Sequence, residues 1–110
     1  MMINKEEYTF IRSFFHKGKL FWHVISNINV DVTYCIDCSN GEIIFSVDCS
    51  DYCLRDKNNK IIGMFDTKET PNEPVISWVF VDNNGEVTYN RQTEKQFLSK
   101  FEVDIFMKFI

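Results

Sequence analysis

Long apolar runs are missing from this 110-residue chain. None approaches the roughly 18 residues that a membrane-spanning helix needs. The opening MMINKEEYTF lacks the basic stretch followed by an apolar run that marks a secretory signal. The expectation is a cytoplasmic protein with no membrane partner. Glycine and proline are scarce, at four and two residues, while 45% of the chain is hydrophobic and eleven residues are Phe. That excludes collagen-like and disordered chains and leaves a globular one. There is no P-loop, GxGxxG, HExxH or EF-hand pattern, so no enzymatic activity and no cofactor are expected. Internal repeats and linkers are absent, and the length suits one domain with one core spanning residues 1–110.

Basic residues are missing from one segment. Between Val30 and Asp56 stand Asp31, Asp37, Glu42, Asp48, Asp51 and Asp56, against Arg55 alone. The chain's net charge of −4 is therefore concentrated there. Nucleic-acid binding needs clustered Lys and Arg and is disfavoured; a basic protein partner fits instead.

What is present reads as an α+β chain. Asn4 with Glu7 forms a capping box, and Ile3 with Tyr8 a hydrophobic staple. Tyr8, Ile11 and Phe15, with Phe14 beside them, make a helical stripe that Lys17-Gly18 ends. These signals predict an N-terminal helix. From Leu20 the period becomes two. Leu20–Ile25 reads as a central strand, and Asn40-Gly41 as a two-residue hairpin turn between Val30–Cys38 and Glu42–Cys49. Lys60–Phe65, Val75–Val81 and Glu86–Asn90 supply further strands. Asp56–Asn59 is a turn, Thr67–Pro74 a loop, and Asp82–Gly85 a hairpin turn that sets Ile76, Trp78 and Phe80 on one face with Val87 and Tyr89. Thr93 and Gln96 open a C-terminal helix with a stripe of Phe97, Leu98, Phe101, Ile105 and Phe109. The expected fold is an N-terminal helix, a meandering antiparallel sheet of about six strands, and a C-terminal helix packed on it.

Four cysteines lie close together, Cys35, Cys38, Cys49 and Cys53, and they raise the alternative of a zinc-binding module. The hairpin register speaks against it. A two-residue turn at Asn40-Gly41 sets Cys38 opposite Ile43 and Cys49 opposite Val32, roughly 20 Å apart at the usual strand rise. Cys35 then points to the other, acidic face. A redox pair at Cys35 and Cys38 would need a helix N-terminus that this strand lacks. The cysteines are expected to be free thiols, with Cys38 and Cys49 in the core and no metal bound. His16 reads as a cation near a helix C-terminus and His23 as a strand residue.

The same register places Asp31, Asp37, Glu42 and Asp48 on one sheet face with no Lys or Arg among them. Uncompensated like charge costs stability and invites a neutralising partner. Asp31, Asp37, Glu42, Asp48 and Asp51 are therefore the candidate partner-binding residues. Phe10 and Phe106, off the predicted stripes, are candidate interface anchors, for a partner or for a homodimer. The functional expectation is a small acidic inhibitor or immunity-type protein that neutralises a basic protein such as a nuclease toxin or a defence enzyme. Richness in Phe, Ile, Asn and Lys suggests an AT-rich bacterial or phage genome. A small-molecule binding domain is a further alternative, and it would require a buried polar pocket near His23 or Tyr34.

Overall fold

The computed structural model describes residues 3–69, 75–93 and 100–110, with side chains described outside 67–77 and 89–100. Among the described residues eight strands precede one helix: β1 Tyr8–His16, β2 Lys19–Ser26, β3 Val32–Asp37, β4 Glu42–Asp48, β5 Cys53–Asp56, β6 Ile61–Glu69, β7 Val75–Asp82, β8 Val87–Thr93 and α1 Lys100–Phe109. Each strand pairs antiparallel with its sequence neighbour, so the sheet order is the chain order. The meander and the C-terminal helix are as expected. The N-terminal helix is not: β1 stands in its place, and β5 adds a strand where none was expected.

The N-terminal signals are nonetheless used. Asn4 Oδ1 accepts from the Glu6 amide at 3.0 Å, and Asn4 O accepts from the Glu7 and Tyr8 amides at 3.1 and 2.9 Å. One turn forms, and then the chain extends. The following residues are mostly aromatic or β-branched, which favours a pleated surface. A bulge at Ile11, between the pairs Phe10↔Val24 and Arg12↔His23, breaks the period of two. That phase shift is what makes Tyr8, Ile11 and Phe15 look helical in sequence. Lys17 and Gly18, at φ 50° and 76°, form a two-residue hairpin turn rather than a helix end. His16 accordingly ends a strand.

Registers differ from expectation by one residue in two hairpins. Asp37 faces Glu42 across a four-residue turn, 38–41, in which only Gly41 takes positive φ. Cys35 then faces Phe45 and Thr33 faces Val47, with Ile44 the extra residue of a bulge. A shift of one residue exchanges the faces of a strand, so Thr33 and Cys35, not Val32 and Tyr34, point inward. In the last hairpin Phe80 pairs with Thr88, Val81 with Val87 and Val79 with Tyr89, so Val87 sits opposite the face that carries Trp78 and Phe80. Thr67–Glu69, expected in a loop, extend β6, and Thr93 ends β8 rather than capping a helix. Gln96, Phe97 and Leu98 lie outside the described residues.

The core forms where the sheet's inner face meets α1. Phe101, Val103, Ile105 and Phe106 of the helix are all buried, and among its described side chains only Asp104 is exposed. Phe106 touches His23 on β2 and Phe45 on β4; Phe101 touches Phe65 on β6 and Trp78 on β7; Phe109 touches Phe80. A flat sheet would set β2 and β7 about 24 Å apart, twice the 10–12 Å width of a helix. The sheet therefore curls around α1. Phe106, expected as an interface anchor, is fully buried in this core. Gly63 is required by the packing: a Cβ there would fall inside the contact radius of the Phe80 ring atoms.

Candidate functional site

Alternating strand directions divide the turns between two ends of the sheet, and the five acids singled out from the sequence are divided with them. Asp37 and Glu42 lie at the end that also carries the turns at 17–18, 57–60 and 83–86. Asp31, Asp48 and Asp51 lie at the other end. They do not form one face.

At the first end the carboxylates hold turns together. Asp37 is buried, and its Oδ1 accepts from the Ser39 hydroxyl and amide at 2.6 and 2.9 Å. Its Oδ2 accepts from Lys19 Nζ at 3.0 Å. The Ser39 bonds, joined by Lys19, hold its pKa below the usual carboxylate range against the opposing effect of burial. Glu42 faces Lys57 at 3.8 Å. Asp82 behaves like Asp37: burial raises its pKa, but the amides of Glu86 and Asn84 and the Lys108 ammonium outweigh it, and the net shift is downward. This end is a compensated polar cap.

The second end differs in kind. The loop 27–31 is fixed by Ser26 Oγ, which accepts from the Ile28 and Asn29 amides at 3.2 and 3.0 Å. It is tied to the turn 49–52 by the Cys49 amide, which donates to Asp31 O at 2.8 Å. The N-terminal turn joins them, since the Asn27 amide donates to Glu7 O at 2.8 Å. On these connected segments Ile28 and Val30 are 83% and 69% exposed, and Tyr52 is 44% exposed. Around them stand Glu6, Glu7, Asp31, Asp48 and Asp51, with Lys5, whose carbonyl accepts from Asn27 Nδ2 at 3.2 Å, beside Glu6. Arg55 is shared between Asp48 at 3.8 Å and Asp51 at 3.4 Å. Burial pushes the Asp48 carboxyl up, but the Ser50 hydroxyl and amide, the Asp51 amide and Arg55 bring it below its ordinary value. Among the described residues the Asp31 carboxylate faces no cation.

Beneath this end lies a cavity of about 10 Å³ lined by Val47, Cys49, Tyr52, Phe65, Trp78, Phe101 and Glu102. Tyr52 is held at its rim in the left-handed region, φ 52°, which bulky residues rarely occupy. Its carbonyl accepts from the Phe65 amide at 2.7 Å, which fixes that geometry. Glu102 is 1% exposed, and its Oε2 lies 2.7 Å from His23 Nε2. Among the described residues neither carboxylate oxygen receives a well-aligned hydrogen bond. Thr33 Oγ1, also buried, is likewise without a partner. Such groups are uncommon in a folded interior, because each carries an unrecovered desolvation cost. A buried polar cluster near His23 is therefore present, and the small cavity beside it is walled by apolar surface.

The cysteines separate. Cys35 is in the core beside Phe45, not on the acidic face, and Cys38 lies in the 38–41 turn, not in the core. Cys53 faces Asp48 on the outer side of the sheet, opposite to Cys35, and both are buried. Cys49 packs at the core's edge. All four thiols are free, and among the described residues no three of His, Cys, Asp and Glu converge. Burial pushes the Cys35 and Cys49 thiols up, for Cys49 with help from Glu102, Asp31 and Asp48.

Sequence reasoning missed Ile28, Val30, Tyr52 and Glu102. Apolar residues inside the polar run Ser26–Asn29 were a signal for the first; an acid in the first turn of a helix, as Glu102 is, suits the dipole and so carries no local mark of burial. No protein-family model, curated protein or solved structure matches this chain.

Proposed function

We propose that this is a non-enzymatic binding protein of inhibitor or immunity type, which masks a basic protein such as a nuclease toxin or a defence enzyme. The binding surface is the second end of the sheet. The observation that carries this reading is the arrangement on connected, hydrogen-bonded segments of Ile28, Val30 and Tyr52 among Glu6, Glu7, Asp31, Asp48 and Asp51. Exposed apolar anchors inside an acidic rim supply desolvated area and long-range attraction together. Because Ser26 and Asn27 already order the loop, little conformational freedom is lost on binding. Asp37 and Glu42, engaged with Lys19 and Lys57 at the opposite end, are left out of the surface.

The experiment is affinity capture from the native host at low and moderate salt, followed by measurement of the captured protein's affinity. Asp31→Lys with Asp51→Lys should abolish capture, and Ile28→Ser should weaken it tenfold or more. Retention of no basic protein, or capture indifferent to the charge reversal, sinks the proposal.

A further inference from the structure

β1 is an edge of the sheet. It pairs with β2 on one side, and among the described residues no strand pairs with it on the other. An unpaired edge is a template for a further strand, and native edges are commonly blunted by Lys, Pro or short length. β1 is nine residues long, contains neither Lys nor Pro, and has aromatic side chains at Tyr8, Phe10, Phe14 and Phe15. The other edge, β8, reads VTYNRQT and has one aromatic residue. Of the two, β1 is the apolar edge.

Its exposed aromatics share a face. Phe10 stands opposite Val24, Ser13 opposite Trp22 and Phe15 opposite Leu20, while the core residues Phe21 and His23 point the other way. The bulge at Ile11 is what brings Phe10 into phase with Ser13 and Phe15 on the outer side. Phe10 and Phe15 are 45% and 72% exposed, and the Phe10 ring rests on Trp22 with 5.1 Å between centroids.

In a two-fold dimer one surface patch meets itself, and β1 is complementary to itself when two copies run antiparallel. With Ser13 on the axis and Ile11 again the extra residue, Phe15 of one copy comes opposite Phe10 of the second, both on the outer face. Phe14 then meets Arg12, and His16 meets Thr9, all on the inner face. Charge agrees with this direction. Exposed Glu6 and Glu7, with Lys5 before them, precede the strand, and exposed Lys17 and Lys19 follow it. Antiparallel pairing sets these acids beside these bases at both ends, whereas parallel pairing would set like beside like.

We infer that two copies of this chain join through their β1 edges, antiparallel about a two-fold axis at Ser13, so that two eight-stranded sheets become one. The joined copies direct their acidic ends oppositely, and the dimer forms without any captured protein.

Sedimentation equilibrium of the full chain across about a hundredfold range of concentration should show a reversible monomer–dimer equilibrium. A monomer at every concentration overturns the proposal. Phe15→Lys changes a side chain that is mostly in solvent, so the fold should survive, and the dimer should weaken at least about tenfold. A dimer indifferent to this change does not use the β1 edge, which also overturns the proposal. Glu7→Lys and Lys17→Glu should each weaken association, and the two combined should restore it. A combination no better than either single change overturns the antiparallel direction. The axis is read by cross-linking. Facing residues of an antiparallel pair have Cα atoms about 4.5–5.5 Å apart, within reach of a disulfide. Mild oxidation should therefore link chains carrying Ser13→Cys, but neither chains carrying Thr9→Cys nor the unaltered chain with its four free thiols. Linking through Thr9→Cys as fast as through Ser13→Cys overturns the register.

Discussion

His23 Nε2 and Glu102 Oε2 lie 2.7 Å apart between β2 and α1, with both side chains at most 1% exposed. A charged or strongly polar pair so deep is costly to break, because the survivor is left unpaired in a low-dielectric interior. His23→Leu alone should destabilise the fold by about 3–5 kcal/mol. The double variant His23→Leu with Glu102→Met should cost much less than the two single changes added together. Denaturant unfolding of the four proteins gives the coupling energy, and strict additivity would show that the pair does not interact.

Acid should weaken the fold through identified carboxylates. Asp37, Asp48 and Asp82 all have pKa values lowered in the folded state. Below the unfolded value of about 3.9 the unfolded chain binds more protons than the native one. The stabilisation from these groups is thus complete above that value and is lost as pH falls through their lowered native values. Urea midpoints measured between pH 7 and pH 2.5 should drop most steeply below about pH 4. Asp37→Asn, which keeps the acceptor for Ser39 but not the charge facing Lys19, should flatten that drop.

Gly63→Ala tests the close approach of β6 to Phe80. The added methyl meets the ring of a fully buried side chain. A loss of about 1–3 kcal/mol is expected from such overpacking. An unchanged thermal midpoint would mean that the ring does not lie over Gly63.

Thiol reactivity should rank by environment. Cys38 in its turn should react first with a thiol reagent at pH 8, and Cys49 more slowly because burial and nearby carboxylates disfavour its thiolate. Cys35 and Cys53 should react only as the protein unfolds. Mass-spectrometric mapping of labels over time checks the order, and early labelling at Cys35 would contradict the β3–β4 register.

Much of the topology is legible in the sequence, because turn chemistry is local. Asp82–Gly85 and Asp56–Asn59 mark real turns, and Leu20–Ile25 and Val75–Val81 mark real strands. Register is not legible in the same way. The chain uses Asn40-Gly41 in a longer turn, since the Asp37 carboxylate bonds Ser39 and closes the turn two residues earlier, and the bulge at Ile44 returns one, which leaves a net shift of a single residue. That single residue moved Cys35 from surface to core and dissolved the presumed acidic face. The bulge at Ile11 similarly counterfeits a helical period. At the binding end, Asp31, Asp48 and Asp51 were visible as acids, but their connection to Ile28, Val30 and Tyr52 depends on backbone bonds between distant segments, which no local pattern encodes.

The strictly sequential sheet has a consequence for synthesis on the ribosome. Each hairpin closes with its immediate neighbour at small entropic cost, so pairing can proceed as the chain emerges. The helix that covers the inner face is made after the strands it covers. Until Phe101, Ile105 and Phe106 have left the exit tunnel, Phe21, Phe45, Phe65 and Phe80 have no cover. A nascent chain stalled before Lys100 thus presents a curved sheet of bare aromatics, the kind of surface that recruits chaperones or aggregates.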